Sequence, residues 1–190
     1  NLMYSELNFI WEAWLRVFTN NEPEAIINKE QKKELEEYQA LMEDCFKVFF
    51  TSLKPGHWMT VEFHNSQNAV WNAIQEALLH AGFMLADVST LDKQQATFKQ
   101  VTTTSAVKQD LILSAYKPSS EFEQSFLIKG GTVEGSWDFI HQHLEQLPMP
   151  TKVGGRIEIQ FERVPYLPYG RMLAFHLVRG LTIPLSASEF

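Results

Sequence analysis

Leu53-Lys54-Pro55-Gly56-His57-Trp58-Met59-Thr60-Val61-Glu62-Phe63 is the stretch on which the fold of this chain turns. Pro55 and Gly56 break whatever helix precedes them, and Trp58 to Phe63 has the aromatic and β-branched composition of a strand. Beyond it, Asn65 or Ser66 is placed to cap a helix whose Val70, Ile74, Ala77, Leu78 and Ala81 share one face. Gly82 closes that helix as a left-handed C-terminal residue. Phe83 to Val88 then reads as a second strand. After a polar stretch rich in Gln and Thr, Leu111-Ile112-Leu113-Ser114-Ala115-Tyr116 reads as a third, stopped by Pro118.

A helix crossing between the first two strands implies that they are parallel, the arrangement of open α/β sheets. No helix precedes the third strand, which returns most easily as a reversed neighbour of the second. The expectation is therefore an α/β domain whose parallel sheet ends in one reversed strand.

Two amphipathic helices come before the turn. The first carries Phe9, Trp11, Trp14, Leu15 and Phe18 and stops at Thr19-Asn20-Asn21. Its tryptophan face reads as core. The second carries Leu35, Tyr38, Leu41, Met42, Cys45, Phe46 and Phe49 at three- and four-residue spacing, with Glu and Lys opposite. After Pro118, residues 119–131 read as a charged linker. Thr132 is placed to cap a helix with Val133, Trp137, Ile140, Leu144 and Leu147, ended by Pro148 and Pro150. Arg156 to Phe161 alternates as a strand, Tyr169 to Val178 reads as a helix ended by Gly180, and Leu181-Thr182-Ile183 as a short strand or wing. Residues 132–190 are thus expected to form a small α+β appendage, winged-helix-like, with 169–178 as its reading helix. Ser186 to Phe190 resembles the cap of a helix that the sequence does not reach, so this part is expected to be truncated.

Bulk properties narrow the class. In 190 residues, 45% apolar and 13% aromatic content supports a substantial core. No run approaches the roughly eighteen apolar residues of a membrane span, and the first six residues lack the order of a signal peptide. A cytoplasmic protein without membrane association is expected. Cys45 is alone, which excludes a disulfide framework and a cysteine metal cage. The net charge of -7 argues against phosphate binding by the chain as a whole. Locally, however, the stretch with Lys93, Lys99 and Lys108 is weakly basic.

Ligands of open α/β sheets lie beyond the carboxyl ends of the parallel strands, which points to His64 and Asn65 and to the loop after Val88. His64 and Asn65 read equally as a surface residue and a helix cap. In the loop from Thr90 to Ser105, Phe98 beside Lys99 and Gln100 has the chemistry to stack on an extruded base, with amides at the base edge and lysines at phosphate. It reads equally as a core anchor. His141 and His143, two apart on a helix, do not match a helical metal pair and read as solvated surface. Gly130, Gly131 and Gly135 form no phosphate-binding motif, and no nucleophile elbow or HExxH site occurs.

Taken together, Leu53-Lys54-Pro55-Gly56, the string Trp58 to Ser66, Thr90-Leu91-Asp92-Lys93-Gln94, Phe98-Lys99-Gln100 and Val107-Lys108-Gln109-Asp110-Leu111 resemble prokaryotic DNA methyltransferases of the amino-methylating type with a DPPFG motif. In that family the segment resembling Asn1-Leu2-Met3-Tyr4-Ser5-Glu6-Leu7-Asn8 directly follows DPPFG. The resemblance implies the back half of a class I, Rossmann-like methyltransferase domain over residues 1–118. It implies methyl transfer from S-adenosylmethionine to the exocyclic amine of adenine or cytosine by a parent protein that acts on DNA. Tyr4, Ser5, Glu6, His64 and Asn65 fall to the cofactor side of that picture, and Lys93, Phe98, Lys99 and Gln100 to the nucleic acid. Neither the catalytic motif nor a glycine-rich cofactor loop is present, so the resemblance assigns no catalytic or metal-binding residue here. It implies a fragment that is inactive alone, holds the cofactor weakly and depends on the remainder of the methyltransferase chain. Two other readings stay open: a noncatalytic α/β interaction module working through its aromatic N-terminal helices, and a piece of a small-molecule methyltransferase.

Overall fold

A computed structural model describes residues 4–64, 67–92, 109–153, 156–157 and 160–190. Helices α1 (Tyr4–Leu15) and α2 (Leu35–Ser52) come first. They are followed by β1 (Trp58–Phe63), α3 (Asn68–His80), β2 (Met84–Asp92) and β3 (Gln109–Tyr116). Next are α4 (Ser120–Lys129), α5 (Val133–Gln146), a two-residue hairpin β4 (Lys152–Val153) and β5 (Arg156–Ile157), a 3-10 turn at Phe161–Arg163, and α6 (Tyr166–Val178). The class is mixed α/β, as expected.

The order within the sheet differs from expectation. β3 pairs antiparallel with both β1 and β2, giving the order β1-β3-β2, so the two parallel strands are separated by the reversed one and do not touch. Leu111, Leu113, Ala115 and Tyr116 are all buried, whereas β1 alternates between exposed and half-buried positions. The strand that is apolar on both faces takes the centre because only there are both faces covered. β1, with polar residues on alternate positions, tolerates an edge. Among the described residues the sheet has three strands and is not a doubly wound parallel sheet.

The turn at Lys54-Pro55-Gly56 is clamped to the end of β3. Gly56 adopts φ +73°, and its N–H donates to the Lys117 carbonyl at 2.9 Å while the Lys117 N–H donates to His57. The Lys117 ammonium donates to the Phe50 and Leu53 carbonyls at 2.7 and 3.0 Å and lies 4.5 Å from the Phe50 ring. A cation is thus held at the C-terminal end of α2, where the helix dipole favours one.

One face of the sheet carries α2 and α3. Val70, Ile74, Ala77, Leu78 and Ala81 are buried against Leu85, Leu113 and Ala115, the face read from their spacing. On α2 the inward stripe is Leu35, Tyr38, Met42, Phe46 and Phe50, with Phe50 edge-on to Phe83 at 5.1 Å. Cys45 and Phe49, expected on that stripe, face outward. Two apolar stripes a residue apart compete on this helix, and Phe50 wins by reaching Phe83.

The other face carries α4, α5 and α6, packed on Met84, Ala86 and Tyr116. Met84 and Ala86, two apart on β2, both point to this side, with Leu85 between them facing the other; the register shifts between Leu85 and Asp87. Residues 119–131, read as a linker, are instead largely the helix α4. Ser119 caps it by accepting from the Phe122 N–H, and it buries Phe122 and Phe126. Thr132 caps α5, as expected. α6 starts earlier than the sequence suggested and buries Met172, Phe175 and His176 against its neighbours, so the helix read as a groove reader is a core helix. The hairpin precedes α6 and does not follow it, and 181–183 form no strand.

His143 also departs from expectation. It is buried, its Nδ1 lies 2.8 Å from the Tyr116 hydroxyl, and its ring stacks on Phe139. Burial, with lesser contributions from Arg171 and Arg163, lowers its pKa to about 4, while burial raises that of Tyr116. Neutral His143 and the protonated Tyr116 hydroxyl therefore share a hydrogen bond. The bond ties α5 to the central strand.

Leu113→Ala is expected to cost about 2–5 kcal/mol and exposed Leu127→Ala less than about 0.5 kcal/mol, as read by urea unfolding. An imidazole with a depressed native pKa leaves the unfolded chain to bind the proton first. Stability should therefore fall by up to about 3 kcal/mol as pH drops from roughly 6.5 to 4, then level off. Titrating the unfolding midpoint of wild type against His143→Phe checks this, because the variant loses that part of the slope.

Candidate functional site

The carboxyl end of β1 is where the sequence placed its first candidate. His64 follows Phe63 directly, and the register that pairs Phe63 with Leu111 sets His64 beside Asp110 on the neighbouring strand. Its Nδ1 lies 2.6 Å from Asp110 Oδ1. The two groups differ sharply in environment: the Asp110 side chain is 1% exposed and that of His64 50%. A buried carboxylate accepts the Nδ1 proton and fixes the ring, so Nε2 is the nitrogen free to meet a partner. On the same face Glu62 stands opposite Ile112, and Thr60 opposite Ser114. Sequence reasoning assigned Asp110 no role. Its signal was a lone carboxylate at the head of a strand that is otherwise apolar.

The remaining cofactor-side candidates lie elsewhere on the chain. The Ser5 N–H donates to Glu24 Oε1 at 2.7 Å and its hydroxyl is buried without a partner, while Glu6 is exposed. Tyr4 begins α1. α1 makes no extensive contact with β1 or with any other described element, so the structure does not join Ser5 and Glu6 to His64 in one pocket. Asn65, Lys93, Phe98, Lys99 and Gln100 lie outside the described residues. α3 is entered through Gln67, whose side chain makes no capping bond. S-adenosylmethionine, implied by the resemblance, needs close backbone approach and donors and acceptors along its length. Among these candidates the orphaned hydroxyl of Ser5 and the committed imidazole of His64 do not form such a cradle, and these residues do not fit the group by themselves.

α1 itself overturns the reading of its aromatic face as core. Leu7, Phe9, Ile10, Trp11 and Leu15 are all exposed, as are Val17 and Phe18 beyond it, and Trp14 reaches 83%. A large aromatic side chain carries roughly 150–250 Å² of surface, so this one helix displays an apolar patch larger than most monomers tolerate.

A separate groove of about 490 Å³ opens between α4 and α6, lined by Phe122, Phe126, Leu127, Phe175 and Leu181 with Glu123 and Arg179 at its edges. The Arg179 guanidinium lies 3.5 Å above the Phe175 ring. No sequence motif pointed to this groove. Among the described residues no group of three or more His, Cys, Asp or Glu could hold a metal ion, and no helix is long and apolar enough to cross a membrane. Comparison with family models, curated proteins and solved structures gives no match to this chain.

Replacing Trp11 and Trp14 together by Glu should leave the thermal midpoint within about 2 °C of wild type, since neither side chain is buried. Self-association measured by light scattering should fall. A large loss of stability would show that the two rings pack within the fold.

Proposed function

We propose that this chain is the C-terminal half of the methyltransferase domain of a site-specific DNA methyltransferase, which transfers a methyl group from S-adenosylmethionine to the exocyclic amine of adenine or cytosine. The half is inactive alone. The observation that carries the reading is topological: the Leu53-Lys54-Pro55-Gly56 turn leads into β1, a crossover helix leads to a parallel β2, and the last strand is reversed. That is the element order which the sequence resemblance implies, with Trp58 to Phe63 on β1, Thr90 to Asp92 on β2 and Gln109 to Leu111 on β3.

Two further features support dependence on more protein. Among the described residues β1 is bonded on one edge only, by β3, and a bare edge is a template for another strand. The apolar surface of α1 likewise calls for cover. The remainder of the methyltransferase sheet would supply both, together with the missing catalytic motif and the glycine-rich cofactor loop. In this reading Tyr4, Ser5, Glu6, His64 and Asn65 belong to the cofactor side, and it takes the remainder of the domain to bring them together. Lys93, Phe98, Lys99 and Gln100 belong to a loop that meets the target nucleotide, where an aromatic ring stacks on an extruded base. S-adenosylmethionine held by the remainder of the domain would supply the methyl group, and this half would contribute one wall beside the amine.

A second reading is favoured by α1 alone. A noncatalytic interaction module would use the same exposed tryptophans to bind a protein partner, with no role for the strand ends.

Titrating S-adenosylmethionine calorimetrically into the 190-residue chain should give no tight binding, and micromolar affinity would mean that the cofactor site lies within it. The protein extended upstream to include the catalytic motif should bind duplex DNA with a steep inverse dependence on salt, because each neutralised phosphate releases counterions. Salt-independent binding, or none, would sink the assignment to DNA.

A further inference from the structure

We propose that the groove between α4 and α6 binds a free α-amino acid with an aromatic side chain, its carboxylate on Arg179, its ammonium on Glu123 and its ring on the phenylalanines of the floor. The site stands apart from the methyltransferase reading, since none of that reading's candidate residues lines it. At about 490 Å³ the groove has the size of a small-molecule site, and such sites are mostly apolar with a few placed polar groups.

The floor is in place before any ligand arrives. Phe122, Phe126 and Phe175 are each at most 5% exposed, and their ring centroids lie 4.9 to 5.8 Å apart in tilted or edge-on pairs. An aromatic ligand extends that arrangement by one ring, because tilted and edge-on contacts are the ones that aromatic quadrupoles favour. Leu181 adds an aliphatic wall and closes on Gly130, where a Cβ would stand 2.9 Å from Leu181 Cδ1. Only a residue without a side chain lets that wall pack as it does. Leu127, also in the lining, is 87% exposed and gains from being covered.

Charge decides the kind of ligand. Arg179 and Glu123 are the charged residues of the lining, and Glu123 is the carboxylate whose field acts on Arg179. Among the described residues no ion pair joins them. The guanidinium is held 3.5 Å above the Phe175 ring, and its hydrogen bond within the protein is a long one, 3.5 Å from Nη1 to the Phe175 carbonyl. Most of its donors therefore stay open to a carboxylate. A simple anion would gain from Arg179 and be opposed by Glu123, and a simple cation would meet the reverse. An ammonium and a carboxylate on one carbon satisfy both, each through a charge-assisted hydrogen bond.

The test uses three probes that share a phenyl ring: L-phenylalanine, hydrocinnamate, which lacks the ammonium, and phenethylamine, which lacks the carboxylate. Each is titrated into the 190-residue chain while backbone amide shifts are followed by NMR. L-Phenylalanine should move the amides of α4 and of residues 175–181 and bind about tenfold more tightly than either partial probe. Arg179→Met, which keeps an apolar stem on Phe175, should weaken L-phenylalanine and hydrocinnamate about tenfold and leave phenethylamine unchanged. Glu123→Gln should weaken L-phenylalanine and phenethylamine and spare hydrocinnamate. Should either variant unfold, the comparison of the three probes on wild type decides alone. Absence of binding, equal affinity for L-phenylalanine and a partial probe, or affinities indifferent to both substitutions would overturn the proposal. The exposed tryptophans of α1 offer the probes a competing surface, so the groove shifts should persist in the Trp11→Glu, Trp14→Glu double variant. Shifts confined to α1 and lost in that variant would overturn the proposal as well. None of these outcomes bears on methyl transfer by the extended protein.

Discussion

Hydrogen bonding of β3 to both of its neighbours is the constraint from which the rest of this structure follows. A strand paired on both edges and covered on both faces can carry almost no polar side chain, and Leu111, Leu113, Ala115 and Tyr116 meet that demand. Once β3 is central, its odd-numbered residues point to α2 and α3 and its even-numbered ones to the opposite side. Two cores result, joined through one strand. Tyr116 fastens the second core by its hydroxyl to His143, and Lys117 fastens the turn before β1 by its ammonium. The last residue of one strand and the residue after it thus hold the helices of both faces.

The periphery is built differently. Towards β1 the burial thins: alternate side chains reach solvent, one edge of the strand is unpaired among the described residues, and α1 displays its aromatic residues to water. Polar groups concentrate at the carboxyl end of β1, where His64 meets the buried Asp110. By contrast, α4, α5 and α6 close one face of the sheet with a conventional core.

Much of the local structure was legible because its signals are short in range. The break at Pro55 and Gly56, the stripe Val70, Ile74, Ala77 and Leu78, the left-handed Gly82 and the Thr132 cap each depend on residues within one or two turns. His64 was found from its place after a strand. Asp110 was missed, because a carboxylate heading an apolar strand gains its meaning only from the histidine 46 positions earlier. His143 shares a helical face with Phe139 and Ile140, a local sign of burial that its proximity to His141 obscured.

By itself, then, the sequence determined most of the segments that become helices and strands, α4 excepted, since hydrophobic period and turn chemistry are properties of neighbours along the chain. Tertiary structure alone decided that β3 lies between β1 and β2, that the stripe ending in Phe50 turns inward in place of the one ending in Phe49, and that Trp11 and Trp14 stay exposed. An apolar residue records only that it gains from burial. Whether a surface exists to bury it is settled by what packs beside it, and strand order is settled by which strand can give up water on both faces at once.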